Sequence, residues 1–471
     1  MPVSESRSPT MAQSAAEPAN AAADGEIREY KIHASTKYLE LTRQKLELAR
    51  LPREIPDANS RSWWNPKPSL EPLIDYWLEQ FRWKEHEREI NQAVPQFKIS
   101  FQTSAPEGPT RIHFIHARSR HPNAVPLLLI PPFPFSNLSF RHITDTFTDP
   151  SDATADQPFH LVMPSLPGLG FSDSLPDGTP VIPKTSEMLD TLMKRLGYGH
   201  YLATNAGSSI TPDGGVDWKV INHLAATYPD SCLGVHLISP PLKAPKALKS
   251  PVEWTKWTLA KTLQTPIGGY TKEDLAALQK NEREGAKKTP STNILPLGPF
   301  GGGAHDPNTL AYALCDSPTG LLVFFLAVFR ALDSEKEYTS LDLVTTTKLT
   351  WLPGPEGTLR LLADSYLSGE EYAKLSRKPK ASITVFLADD GAGQNGSSSA
   401  QQNASSRSAS PYACPSWGKQ HYDVVWTGRA RGKQGLLAWE RPQVIAEGAR
   451  NLAKALMAVD KRLQAPVNGA V

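Results

Sequence analysis

Cysteine is scarce. Only Cys232, Cys315 and Cys414 occur in 471 residues, and they stand far apart. They form no metal spacing and no disulfide framework, which points to a reducing compartment and a soluble, cytoplasmic protein. Charge of one sign is not in excess. The formal net charge of +2 excludes the basic balance of a nucleic-acid binder and gives no reason to expect an acidic partner. Long apolar runs are absent too. The longest, Gly320 to Phe329, is too short to span a bilayer and reads as a buried helix, so no membrane span is expected. Residues 1–25 are rich in Ala, Ser, Pro and Glu, lack the apolar core of a secretory signal, and read as a disordered tail. No dinucleotide fingerprint or phosphate loop appears, and Gly301-Gly302-Gly303 lacks the strand–helix context that phosphate binding needs. No cofactor and no metal are expected. The sequence leaves the oligomeric state open.

What is present is a sizeable apolar fraction, 39%, and 42 prolines, which imply a large core and many stiff loops. Arg111 to His116 alternates as a strand. Pro126 to Ile130 and Phe159 to Met163 are continuous apolar strands of the kind a parallel sheet buries on both faces. Further strands are expected at Tyr201–Thr204, Gly234–Ile238, Ile383–Ala388 and Asp423–Thr427. Helices are expected over about 35–51, Thr185–Gly197, Trp218–Tyr228 and Val444 to about Leu463. Strands alternating with helices indicate an α/β protein with a doubly wound parallel sheet. After Ser239-Pro240-Pro241 the pattern turns to helices and loops until about residue 375. Residues 391–410, rich in Gly, Ser, Gln and Asn, read as a flexible insertion.

Four stretches carry a more specific signal. Pro164-Ser165-Leu166-Pro167-Gly168-Leu169-Gly170-Phe171-Ser172-Asp173 follows an apolar strand. Gly214-Gly215-Val216-Asp217-Trp218 precedes a helix. Ala313 to Leu321 surrounds Asp316-Ser317-Pro318, and Glu440-Arg441-Pro442 opens the final helix. Together they resemble the epoxide hydrolases of the microsomal type, within the α/β-hydrolase superfamily. The resemblance runs from roughly residue 26 to 460. It implies the α/β-hydrolase fold: a mostly parallel twisted sheet with helices on both faces, a helical cap and an N-terminal wrapping segment. The expected divisions are a tail (1–25), an N-terminal segment (26–105), the first half of the core (106–242), the cap (243–375) and the second half of the core (376–465).

The resemblance also implies a chemistry. In that family an Asp at a sharp strand-to-helix turn attacks an epoxide carbon and forms an ester. A His oriented by an acid then activates water to hydrolyse it. Backbone N–H groups hold the oxyanion, and two cap tyrosines hydrogen-bond the epoxide oxygen. Aligned without a gap, Gly207 falls at the Asp position. Asp217 matches with an insertion, and Lys219 then replaces the last Gly of the motif. Asp217 reads either as this nucleophile or as the N-cap of the following helix, and the two roles are compatible. The His position lands on Gly435 or, with a one-residue shift, on Gln434. Neither accepts a proton at neutral pH. His421 is nearby in sequence and reads as structural, and Asp389 or Asp390 would be the orienting acid. The oxyanion loop reads Pro131-Pro132-Phe133-Pro134, which leaves one N–H donor, on Phe133. Tyr366 matches the second cap tyrosine. The first falls on Pro299, beside Phe300, with Tyr312 and Tyr270 as substitutes.

The candidate catalytic residues are therefore Asp217 and Tyr366. The expected ligand is a hydrophobic small molecule, nominally an epoxide opened to a diol in a fungal secondary-metabolic setting that the resemblance implies. Two alternatives stay open at this point: a catalytically inactive protein that binds an apolar ligand or partner, and a cofactor-free isomerase or cyclase on the same fold.

Overall fold

Continuous apolar strands fix the centre of the molecule. In the computed structural model, which describes residues 24–53, 67–102, 108–207, 215–285, 307–332, 336–367, 378–387 and 412–464, nine strands form one sheet. They are β1 (Ile27–Glu29), β2 (Gln96–Phe101), β3 (Thr110–Ala117), β4 (Val125–Ile130), β5 (Phe159–Pro164), β6 (Tyr201–Asn205), β7 (Cys232–Ile238), β8 (Lys380–Leu387) and β9 (Asp423–Arg431). The order is β1-β2-β3-β5-β4-β6-β7-β8-β9. The first three strands pair antiparallel, and β3 meets β5 antiparallel. From β5 through β4 and β6 to β9 every neighbour is parallel. Every residue of β4 and β7 is buried, as a sheet covered on both faces requires. The chain steps from β4 to β5 on one side, then back across to β6 on the other. That reversal opens a crevice at the carboxyl ends of β4 and β6, the place where open α/β sheets bind ligands.

Helices cover the sheet and build an insertion above it. Ahead of the core lie α1 (Thr36–Glu47), α2 (Lys67–Glu79) and α3 (Trp83–Ala93). Within the core are α4 (Thr144–Thr148), α5 (Val181–Arg195) and α6 (Gly215–Thr227). Between β7 and β8 come α7 (Pro251–Leu263), α8 (Lys272–Gly285), α9 (Pro307–Asp316), α10 (Pro318–Ala331), α11 (Ser340–Trp351) and α12 (Glu356–Leu367). After β9 follow α13 (Leu437–Glu440) and α14 (Pro442–Met457). The 118° bend between α9 and α10 has a local cause. Pro318 begins a new helix where it has no N–H to lose, and the Ser317 hydroxyl caps it by accepting from Gly320 N at 2.9 Å. Among the described residues no single helix is long and apolar enough to cross a membrane.

Strand parity assigns faces. The Tyr201 hydroxyl donates to Asp190 on α5 at 2.9 Å, so odd-numbered positions of β6 face α5 and α6. Thr204 points the other way. Its Oγ1 lies 3.0 Å from His236 Nδ1, and His236 Nε2 lies 2.9 Å from Thr384 Oγ1. This imidazole sits against Gly448 of α14, where an added Cβ would fall 2.0 Å from Nε2. Burial lowers His236 to about 3, which keeps it neutral. It is a spacer inside the sheet.

The elements differ from the sequence reading mainly at their ends. The helix expected from Thr185 starts at Val181, because Pro183 is tolerated in a first turn. The helix expected from Trp218 starts at Gly215, which moves Asp217 from a cap position into the first turn. Strand β9 continues to Arg431, and the final helix stops at Met457 before a short 3₁₀ turn over Lys461–Gln464. Residues 1–23 of the expected tail and the expected insertion 391–410 lie outside the described residues.

Two contacts seat the insertion. Gly168, in the loop after β5, meets Gly357 in the first turn of α12 with backbone against backbone. A Cβ on either would lie 2.7 or 2.6 Å from the other's carbonyl oxygen, so no side chain fits at either position. On the other side, the Thr42 hydroxyl of α1 is a junction. It donates to Tyr38 O at 2.7 Å and accepts from Lys348 Nζ at 2.8 Å and Trp351 Nε1 at 3.0 Å, both on α11. Lys348 and Trp351 are buried. Thr42→Val keeps the shape and removes the acceptor, leaving the buried Lys348 amine, which burial lowers to about 7, and an indole N–H unmatched. It is expected to lower unfolding free energy by about 2–4 kcal/mol, read from urea denaturation of the full chain.

Candidate active site

The crevice at the ends of β4 and β6 is built from three loops. The first, Pro131-Pro132-Phe133-Pro134, leaves β4. Phe133 is buried, and its N–H is the only backbone donor these four residues offer. Asn137, just beyond, locks this loop to the end of β5: its Nδ2 donates to Met163 O at 2.8 Å and its Oδ1 accepts from Ser165 Oγ at 2.8 Å. The second loop leaves β6 through Ala206 and Gly207. The third contains Gln434 and Gly435 and leads into α13.

Gly207 occupies the elbow in a left-handed conformation, φ +70°. An added Cβ would fall 2.5 Å from Ile238 Cγ2 and 3.2 Å from Gln434 Nε2. The second and third loops therefore meet as the gap-free reading of the sequence implies. They meet with a glycine and an amide, and the branched side chain of Ile238 fills the space a nucleophile would need. Gly435 faces away from the elbow, and a side chain there would strike Glu440, whose Oε1 instead accepts from Leu436 N at 2.6 Å. Of the two positions offered for the base, Gln434 is the one that faces the elbow.

Asp217 lies next to this crossing. Asn205, the last residue of β6, has the parity that faces α6, and its Nδ2 donates to Asp217 Oδ2 at 3.1 Å. The same Asn205 accepts from Ile238 N through Oδ1 at 3.1 Å, which ties the ends of β6 and β7. Asp217 is fully buried, and its Oδ1 has no hydrogen-bond partner among the described residues. Burial pushes its carboxyl up to about 6, while Asn205 and the first-turn amides of Asp217 and Trp218 pull the other way.

Lys219 has a use that motif comparison hid. Its Nζ donates to Ser365 O, at the end of α12, at 2.5 Å. A cation on the last carbonyls of a helix is favourable there, and the contact joins the first turn of α6 to the last turn of α12. Tyr366 is the next residue of α12, although its side chain lies outside the described residues. That lysine contact links the helix that carries Asp217 to the helix that carries Tyr366.

The remaining candidates fall elsewhere. His421 precedes β9 at its amino end, opposite the crevice, and Lys378 and Lys249 add to burial in lowering its pKa. Asp389, Asp390, Pro299 and Phe300 lie outside the described residues. Tyr312 is exposed on α9. Tyr270 is buried beside Trp257, with ring centroids 5.4 Å apart. Above the crevice runs an aromatic seam. Phe135 from the loop after β4 packs on Phe325 and Phe329 of α10 at 5.8 and 5.5 Å. Tyr338 and Trp439 of α13 continue it at 4.3 and 5.9 Å. A cavity of about 450 Å³ opens between the loop after β5 and helices α9 and α12. Its walls include Ser174, Asp177, Asn308, Arg360 and Asp364, and none of Gly207, Asp217 or Gln434.

The raised Asp217 carboxyl has a signed consequence. Its folded value, about 6, lies above the ordinary 3.8, so the folded state holds a proton that the unfolded chain has lost between those pH values. Below that window the group carries no penalty. Stability falls as pH rises through it and stays lowered above it, by about 3 kcal/mol. Asp217→Asn is expected to match the parent at pH 3.8 and to exceed it by up to that amount above pH 6, measured by urea unfolding across the range.

The family model described as the epoxide hydrolase N terminus matches residues 27–140. A Stigmatella aurantiaca (strain DW4/3-1) protein, provisionally named an epoxide hydrolase, is 28% identical over 338 residues, which are 69% of this chain and 66% of that protein. Juvenile hormone epoxide hydrolase 1 of Ctenocephalides felis is 25% identical over 312 residues, 65% of this chain and 60% of that protein. The chain thus spans somewhat less than two thirds of these relatives. The structure of Aspergillus niger epoxide hydrolase superposes with a TM-score of 0.65 at 20% identity, over 92% of this chain and 97% of that one, and shares the fold. With this N-terminal match, these relatives and this sheet, the chain is similar to the epoxide hydrolases and shares their α/β fold.

Proposed function

We propose that the protein takes a hydrophobic epoxide between core and insertion and hydrates it in one step, without an ester on the protein. The observation that carries this reading is Asp217: a buried carboxyl with one oxygen unmatched, in a helix turn that Lys219 ties to the helix of Tyr366. A carboxyl raised to about 6 is largely ionised at pH 7 and well suited to take a proton from water. In the proposed step, water loses a proton to Asp217 and its oxygen bonds a ring carbon. The carbon–oxygen bond of the ring breaks, and the Tyr366 hydroxyl protonates the leaving oxygen. The proton on Asp217 then returns to the tyrosinate, and the diol leaves. An ester route is disfavoured, because Gln434 cannot activate the water that would release the ester.

A second reading is ligand binding without turnover. The Ile238 side chain favours it, since it fills the nucleophile's place at Gly207.

Single turnover of an aryl-substituted epoxide in ¹⁸O-water separates the readings. The one-step route puts ¹⁸O into the first diol, with a rate that rises as pH climbs through about 6 and drops at least about a hundredfold in Asp217→Asn. Unlabelled oxygen in the first diol would mean that the carboxylate attacks. No diol, together with a rise in melting temperature on adding the epoxide, would establish the second reading. Because Ile238 occupies the elbow, Gly207→Asp with Gln434→His is expected to lower the melting temperature and leave any ester unformed, as seen by intact-protein mass.

A further inference from the structure

Helix α7 presents an unusual surface. Nine large hydrophobic side chains are exposed among the described residues. Five of them, Leu248, Val252, Trp254, Leu259 and Leu263, fall within sixteen positions, and Leu248 is fully exposed. Ala260 marks the buried side of the helix. On its outer side Val252, Leu259 and Leu263 line one flank, Trp254 lies on the other, and Thr255, Thr258 and Thr262 run between them. The only exposed charged residue in α7 is Lys261, which is paired with Glu282 at 2.6 Å. A surface helix normally turns its charges outward, and this one does not.

Charge gathers at the edge of that face. Residues 243–263 hold five lysines and one carboxylate, Glu253, a local charge of +4 in a chain whose total is +2. Glu253 is taken by Lys256 at 2.8 Å. Lys246 and Lys249 are exposed and have no acidic partner among the described residues. The basic region extends beyond this segment. Gln420 Nε2 donates to Lys243 O at 2.8 Å, and Lys378 Nζ donates to Lys419 O. Lys378 and Lys249 both act electrostatically on His421.

We propose that this face docks on an anionic phospholipid bilayer, with Val252, Trp254, Leu259 and Leu263 entering the headgroup boundary and Lys246 and Lys249 meeting lipid phosphates. An apolar helix face beside unpaired lysines is the chemistry that such a surface recognises. Tryptophan, with an apolar body and one N–H, suits the interface. A second copy of the chain fits less well, since a two-fold contact sets the same patch against itself and brings lysines against lysines. No spanning segment is needed. The docking would hold the protein where hydrophobic molecules partition, whatever the chemistry at Asp217.

The test is co-sedimentation of the full chain with vesicles of phosphatidylcholine alone and of phosphatidylcholine with phosphatidylserine. The chain is expected to bind the mixed vesicles and to be released by high salt. Leu259→Glu with Leu263→Glu, and separately Lys246→Glu with Lys249→Glu, are each expected to weaken binding at least about tenfold. These positions are exposed, so an unchanged melting temperature shows that the variants fold. Absence of binding to the mixed vesicles, or undiminished binding by both variants, would overturn the proposal. So would a concentration-dependent dimer, seen by light scattering and abolished by the Leu259 and Leu263 changes, that binds no vesicle: it would assign the face to a second copy.

Discussion

One side chain, Asn205, closes the centre of the site. Its amide nitrogen reaches Asp217 on α6, and its amide oxygen receives the backbone N–H of Ile238 at the end of β7. An amide donates through its nitrogen and accepts through its oxygen from one position. A carboxylate there would repel Asp217, and an apolar residue would leave the Ile238 amide without its acceptor. The place of Ile238 follows from this bond, and the place of Ile238 decides what Gly207 can be. The elbow, the strand ends and the buried carboxyl therefore form one coupled arrangement.

The coupling fixes which groups stand at the crossing. Glycine at 207 permits the left-handed turn, and the volume that a side chain would have filled goes to Ile238. Gln434 still reaches toward that point. Where the two loops cross, an apolar branch and an amide face the glycine. Three prolines after β4 stiffen the facing loop and remove donors.

Much of this was legible in the residues. Continuous apolar runs identified β4 and β5, because a strand buried on both faces tolerates little else. The Pro164–Asp173 loop located the turn after β5. Gly207 and Gln434 could be placed by alignment, but their contact could not, since it depends on how far two loops separated by more than two hundred residues extend. Lys219 was read as a misfit because motif comparison expects a glycine there. Its target is a backbone carbonyl of α12, and a carbonyl has no sequence signature. The start of α6 was placed late because Gly215 carries no cap signal. The Thr42 junction went unseen because a threonine among charged helical residues does not disclose that two buried donors converge on it.

The meeting of Gly168 and Gly357 bears on movement. Side-chain contacts can slide, exchange rotamers and reform nearby. Two peptide units pressed together with nothing between them have no such freedom. At that point the insertion and the sheet must travel as one piece or part completely, so any passage for a ligand has to open away from both that seam and the Thr42 junction.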